Sequence, residues 1–306
     1  MFKKKFVLII LLVMALFLAA CGGDQTESDQ TADDTSADTE TVDETDEVAD
    51  EEIDQGLLGE IKESGEITVA TSGTLIAASY YDENDELTGY DVEVAKEIAN
   101  RLDLEINFEI MGIDSMLPAI DSGRVDLAMN DIEATEARKE QFNFSDPYKY
   151  SHAVMAVRES DHSGIESLED LDGKKAGGGA TTIYSQIAEH YGAVVVTYGN
   201  ANDEAYLRDV SNGRTDVVVN DYYLTTFGVA AFPDFDLTVH PNIAFHPSEQ
   251  AVVIKKGEDQ LTEAINGALA EMREDGTLTE IAIEFYQEDA SVQKDQEIEV
   301  VEGLEL

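Results

Sequence analysis

The sequence predicts an α/β protein of two similarly built lobes, and two observations predict it. First, short β-rich apolar stretches alternate with helical patterns through most of the 306 residues, the sign of helices layered on sheets. Second, a ten-residue segment recurs. Ser122-Gly123-Arg124-Val125-Asp126-Leu127-Ala128-Met129-Asn130-Asp131 is answered by Asn212-Gly213-Arg214-Thr215-Asp216-Val217-Val218-Val219-Asn220-Asp221, 90 residues on. Leu117 and Ile120 keep that offset against Leu207 and Val210, and Thr135 keeps it against Thr225. One copy is a common helix-to-strand corner. Two at a fixed spacing imply two lobes of one plan.

Taken in order, the chain begins with Lys3, Lys4 and Lys5 and an apolar run over 6–20. That run is too short for a stable membrane span and reads as a signal peptide. It ends Leu18-Ala19-Ala20-Cys21, small residues before a cysteine in the manner of a bacterial lipobox. Cys21 is the expected lipidation site, and two acyl chains are what stable anchoring needs. It is the chain's single cysteine, so no internal disulfide forms. Residues 24–54 hold fifteen carboxylates in 31 positions and no Lys or Arg. Such a stretch repels itself and buries little, so 21–55 is expected to be an extended tether.

The net charge of −47 becomes −50 without the three signal lysines, and −35 without the fifteen tether carboxylates. A body so acidic excludes nucleic acid and anionic lipid surfaces as partners.

In the body, strand-like stretches at 67–70, 106–110 and 125–129 alternate with helical ones at 90–102 and 116–120. The second half does likewise, with strands near Ala176, at 194–196 and at 217–219 and helices at 183–191 and 205–210. The division expected is one lobe from 56–155 with 251–290, the other from 156–250, and a tail over 291–306. In each repeat a helix is followed by glycine, and Gly123 and Gly213 suit left-handed helix ends. Each strand then closes on Asn-Asp. Ligands of open α/β sheets sit beyond the carboxyl ends of strands, so Asn130, Asp131, Asn220 and Asp221 are expected to edge one cleft.

The chemistry follows from the few charges so placed. Asp221 either accepts a ligand ammonium or caps the segment starting at Tyr222. Asp131 and Glu133 are cleft acids or solvated loop acids. Arg138, in a chain poor in cations, grips a ligand carboxylate by its two-pronged guanidinium or pairs with a nearby glutamate. Gly177-Gly178-Gly179-Ala180-Thr181-Thr182 opens a helix in the second lobe, where backbone amides favour an anion. It is no phosphate loop, because Lys174 and Lys175 precede the glycines. The five histidines show no metal-ligand spacing, and no cofactor or metal is expected. An enzyme on this plan, a dehydratase with Glu133 as acid, is the rival from catalysis; a signalling sensor is the third class.

Several motifs together resemble one family. Leu87-Thr88-Gly89-Tyr90-Asp91-Val92-Glu93-Val94-Ala95, Gly123-Arg124-Val125-Asp126, Thr135-Glu136-Ala137-Arg138, Phe144-Ser145-Asp146-Pro147-Tyr148, Leu168-Glu169-Asp170-Leu171-Asp172-Gly173-Lys174 and Met272-Arg273-Glu274-Asp275-Gly276-Thr277-Leu278 occur in that order. The body is similar to the family 3 solute-binding proteins of amino-acid ABC importers. Met111-Gly112-Ile113-Asp114, Asn130-Asp131-Ile132, Ala180-Thr181-Thr182 and Asn220-Asp221-Tyr222-Tyr223-Leu224 resemble the Gram-positive L-cystine-binding lipoproteins within it.

The resemblance implies a type II periplasmic-binding-protein fold. Two α/β lobes are joined by two crossing strands, near 153–158 and 250–255, and close on a ligand between them. It implies a small polar amino acid as ligand, L-cystine above others, delivered to an ABC permease and its ATPase at the extracellular face of a membrane. The ligand's carboxylate falls to Arg138, its ammonium to Asp221 helped by Thr181 and Thr182. Asn130, Asp131, Ile132, Glu133, Ala180, Thr74 and Tyr80 complete the expected site. Two departures stand out. Leu75 and Ile76 lie where the family places a stacking aromatic, for which Tyr80 or Tyr81 compensates. Asp131 and Glu133 replace small hydroxyl residues, which suits a ligand with a second ammonium: cystine, lysine, arginine or ornithine.

Overall fold

A computed structural model describes residues 56–301, Gly303 and Leu304. The signal peptide, Cys21 and the acidic tether lie outside the described residues. None of the described helices is long and apolar enough to cross a membrane.

The first half opens with α1 (Gly56–Ser64) and β1 (Glu66–Thr71), then a small sheet of β2 (Thr74–Leu75), β3 (Ser79–Tyr81) and β4 (Leu87–Thr88). It continues through α2 (Tyr90–Arg101), β5 (Glu105–Ile110), α3 (Ile113–Asp121), β6 (Leu127–Ala128), α4 (Glu136–Gln141) and β7 (Phe142–Phe144). The second half runs β8 (Lys149–Arg158), β9 (Lys175–Gly178), α5 (Ile183–His190), β10 (Val194–Thr197), α6 (Asp203–Ser211) and β11 (Val218–Asp221). There follow α7 (Tyr222–Ala231), β12 (Leu237–Val239) and β13 (Phe245–Gln250). The chain then returns through β14 (Val253–Lys255), α8 (Asp259–Asp275) and α9 (Thr277–Tyr286).

Two sheets organise these elements. One has the order β5-β1-β6-β14-β7; β8 centres the other, pairing with β11, β12 and β13. Within the first, β1 is parallel to β5 and β6, whereas β14 is antiparallel to β6 and β7. The parallel pairs are those joined through a helix. β8 and β13 run antiparallel side by side and carry the chain from the first sheet to the second and back, over 145–149 and 250–253.

The internal repeat is real in hydrogen bonds as well as in sequence. Gly123 N–H donates to the Ile120 carbonyl and Arg124 N–H to Ala119; Gly213 donates to Val210 and Arg214 to Asp209. Both glycines are left-handed, at φ 70° and 68°, which closes the helix ends in the Schellman manner. The aspartate two residues after each arginine then clamps a neighbouring strand. Asp126 accepts Thr68 N–H at 2.8 Å, and Asp216 accepts Lys175 N–H at 2.9 Å. Gly-Arg-x-Asp is thus a helix stop followed by a strand clasp, used once in each half.

Apolar faces bury against both sheets. Val69, Ile98, Leu127, Ile254, Ile265 and Leu269 pack in the first half, and Met155, Val157, Leu171, Ile187 and Val217 in the second. Full burial of side chains of this size is worth about 1.5–3 kcal/mol each. The C-terminal segment spans the two: Ala290 belongs to the first cluster and Val301 to the second.

Candidate functional site

A cavity opens between the two sheets. Its walls include Thr74, Asn130, Asp131, Ile132, Glu133 and Arg138 from the first half. Gly178, Thr182, Tyr206 and Asn220 are among those from the second. Tyr80, Ala180, Thr181 and Asp221, expected in the site, are outside this lining. Tyr80 pairs across the hairpin with Thr74 but stops short of the cavity. Thr181 turns its hydroxyl and N–H to Asp114 Oδ1, at 2.7 and 3.1 Å, which leaves Thr182 to cap α5 by accepting Ser185 N–H. With Thr182 and Ile183 in the wall, the N-terminal end of α5 faces the cavity, and its amide end favours a ligand anion.

Arg138 is presented by α4, whose first turn is capped by Thr135 accepting Arg138 N–H at 3.3 Å. Its guanidinium donates to the Glu133 carbonyl at 2.9 Å and, across the cavity, to the Thr181 carbonyl at 3.3 Å. Burial pulls its pKa below the usual value, opposed by the charge of Glu133. A half-desolvated guanidinium bonded to neutral carbonyls keeps most of its charge for an incoming carboxylate.

Asp131 and Asp221 are not solvated acids. The Lys149 ammonium, at the start of β8 and fully buried, pairs with Asp131 and lies 3.2 Å from Asp221. Asp221 also caps α7, accepting Tyr223 and Leu224 N–H at 2.8 and 3.1 Å. Of the two roles weighed for this residue the cap is the one present, and the ammonium beside it is that of Lys149. A third acid, Asp91, accepts Asp131 N–H at 2.5 Å. Three carboxylates thus surround one ammonium, walled by Tyr223 and Tyr286, whose rings lie 5.4 and 5.3 Å from Nζ.

Charges so enclosed shift one another strongly. Burial, then the charge of Asp221, pushes Asp131 up to about 8 against the pull of Lys149. Asp91 is pushed up to about 6 by burial. Burial alone lowers an ammonium, but Asp131, Asp221 and Asp91 together hold Lys149 above its ordinary value. Asp131 Oδ2 and Asp221 Oδ2 are buried without a hydrogen-bond partner. These oxygens are open acceptors within the cluster.

Glu133 lines the same cavity, and both its oxygens contact His246 Nε2, at 2.9 and 3.0 Å. Asp203, at the start of α6, is buried and accepts Ile76 N–H across the cavity at 2.9 Å. Sequence reasoning missed Lys149, His246, Asp203 and Tyr206. A signal existed for two of these: the 90-residue offset aligns Asp203 with Ile113 and Tyr206 with Met116, and both Asp203 and Ile113 line the cavity.

Among the described residues, no group of three or more His, Cys, Asp or Glu could hold a metal. The profile of the bacterial extracellular solute-binding proteins, family 3, matches residues 67–288. The chain belongs to that family. Its fold is the type II periplasmic-binding-protein fold, two α/β lobes about a cleft. This family 3 protein is 49% identical over 247 residues to the probable ABC transporter extracellular-binding protein YckB of Bacillus subtilis, covering 79% of this chain and 86% of the relative. It is 33% identical over 299 residues to the L-cystine-binding protein TcyA of the same organism, covering 94% and 99%. A solved ancestral arginine-binding protein bound to arginine superposes with a TM-score of 0.67 at 32% identity, over 72% of this chain and 98% of that one.

Proposed function

We propose that this protein captures a polar amino acid, L-cystine above others, outside the cell and delivers it to an ABC permease. The observation that carries the reading is the arrangement of charge on one cavity wall. Arg138 offers a half-desolvated guanidinium for a carboxylate, while Asp131 has a buried, unpartnered oxygen for an ammonium. A zwitterion satisfies both. The likeness to TcyA along nearly its whole length supports cystine in particular.

On this reading the two sheets are the hearts of two lobes, and ligand draws them together across the contacts that Asp203 and Arg138 already make. Closure shuts out water and strengthens each polar contact. Cys21 anchors the protein to the membrane by lipid, the tether holds the body away from it, and the permease reads the closed form.

A second reading, a basic amino acid, draws on the excess of acids around the cavity and on the likeness to the arginine-bound ancestral protein. Calorimetric titration of the protein lacking its signal peptide, against the twenty amino acids and L-cystine, decides between them. The absence of heat and of thermal shift with every one of these would sink the amino-acid reading altogether.

A further inference from the structure

His246 stands where a regular strand would not put it. β13 pairs with β8 on either side, but the register slips between Phe245 and Pro247. His246 is left as the extra residue of a bulge, with φ 51°. Left-handed backbone is unfavourable for a residue with a Cβ, and it persists only where surroundings over-determine it. A following proline restrains the backbone further.

Two contacts hold the residue in this conformation. Its N–H donates to the Glu299 carbonyl at 2.6 Å, so the C-terminal segment pins the backbone. Its ring Nε2 meets both oxygens of Glu133, and the two side chains are each only 11% exposed. The bulge aims an imidazole from β13 at an acid that follows β6.

That acid lines the cavity. With both oxygens free, Glu133 would accept the side-chain ammonium or guanidinium of a basic amino acid. Two neighbouring acids are likewise engaged, Asp221 by Lys149 and the first turn of α7, and Asp203 by Ile76 N–H, whereas Asp131 keeps one oxygen unpartnered. We infer that His246 is a specificity-determining residue: by engaging Glu133 it withdraws an acceptor from the cavity and turns preference from amino acids of net positive charge to those of zero net charge. L-cystine and L-glutamine are neutral overall; L-arginine and L-lysine carry one excess positive charge. The inference rests on the amino-acid reading above and chooses within it.

The test is calorimetric titration of these four compounds into wild type, His246→Asn and His246→Gln. Asparagine tolerates the left-handed backbone but is too short to reach Glu133; glutamine keeps a donor at nearly the reach of the imidazole. His246→Gly, free of backbone strain, is the alternative should His246→Asn fold poorly. Wild type is expected to favour L-cystine or L-glutamine over L-arginine and L-lysine. His246→Asn should shift that ratio toward the basic pair by about tenfold, His246→Gln should restore it, and adding Glu133→Gln to His246→Asn should abolish the gain. An unchanged ratio in His246→Asn and His246→Gly, with L-cystine or L-glutamine still binding, overturns the inference alone. So does a wild type that prefers L-arginine. Silence with all four compounds in every variant overturns the amino-acid reading and the inference with it.

Discussion

The Lys149 ammonium lies 3.2 Å from the Asp221 carboxylate, and neither side chain reaches solvent. A buried pair of this kind is weak evidence of net stability, yet removing one partner is costly, because the other charge is left unmet. Lys149→Met strands three carboxylates at once. The expected loss is about 3–5 kcal/mol, read by urea denaturation at neutral pH. Pairing it with Asp221→Asn should recover part of that loss, since the two changes share one contact. A single-variant loss under about 1 kcal/mol would mean that the acids are already neutral.

Arg138 separates ligand binding from folding more cleanly than Asp221 does, because its own bonds go to carbonyls on the cavity wall. Arg138→Ala should weaken ligand binding by about 2 kcal/mol or more, roughly thirtyfold in Kd, with little change in melting. Asp221→Ala should act on stability first, because that carboxylate lies outside the cavity lining, pairs with Lys149 and caps α7. Wild-type affinity in Arg138→Ala would remove the carboxylate contact from the account.

Asp203 gives a pH dependence with a definite sign. Burial pushes its carboxyl up to about 7, against the help of the Ile76 N–H. An acid raised on folding binds more protons folded than unfolded. Its contribution to stability is therefore whole below the unfolded pKa of about 4 and is lost as pH rises to about 7. Melting temperatures from pH 4 to 8 should show a decline across that window that is flatter in Asp203→Asn, the amide still accepting from Ile76. Parallel curves for the two proteins would show that Asp203 does not titrate there.

What could be read from the sequence was what acts locally or by period. The repeat was legible because Gly123 with Asp126, and Gly213 with Asp216, do the same two jobs at the same spacing. Arg138 was singled out because cations are scarce in this chain, but its position left two roles level, and only the resemblance carried by Thr135-Glu136-Ala137-Arg138 pointed to a ligand carboxylate. Lys149 and His246 were hidden for a common reason. Their partners lie elsewhere in the chain, Glu133 being 113 residues from His246, and no motif records the bulge that aims the imidazole. Thr181 and Thr182 look equivalent in sequence, but side-chain direction separates them: one caps α5 and lines the cavity, the other turns to Asp114. The extra acids Asp131 and Glu133 were read as acceptors for a second ligand ammonium. Both oxygens of Glu133 meet the His246 imidazole, while Asp131 gives one oxygen to Lys149 and keeps the other open, a difference that only tertiary packing reveals.

Gly89, inside the Leu-Thr-Gly-Tyr-Asp motif, links that motif to the buried acids. It stands at φ 124° just before α2, and a Cβ there would lie 2.4 Å from the Ala78 carbonyl oxygen and 2.8 Å from Ser79 N. These are backbone atoms and cannot swing aside. Tyr90 and Asp91 N–H bond to Ala77 and Ala78 from this approach, and Asp91 reaches Asp131 from the same turn. Gly89→Ala should therefore push α2 off the hairpin, costing about 2–4 kcal/mol and a melting shift of roughly 4–16 °C. Gly123→Ala is the matched comparison: it too has positive φ, at 70°, but a Cβ there meets nothing within 4 Å. It should cost only the left-handed penalty, about 1–2 kcal/mol. Thermal denaturation of the two variants side by side isolates the steric part. Equal losses would show that α2 adjusts freely, and that the close approach at Gly89 is not what holds Asp91 in place.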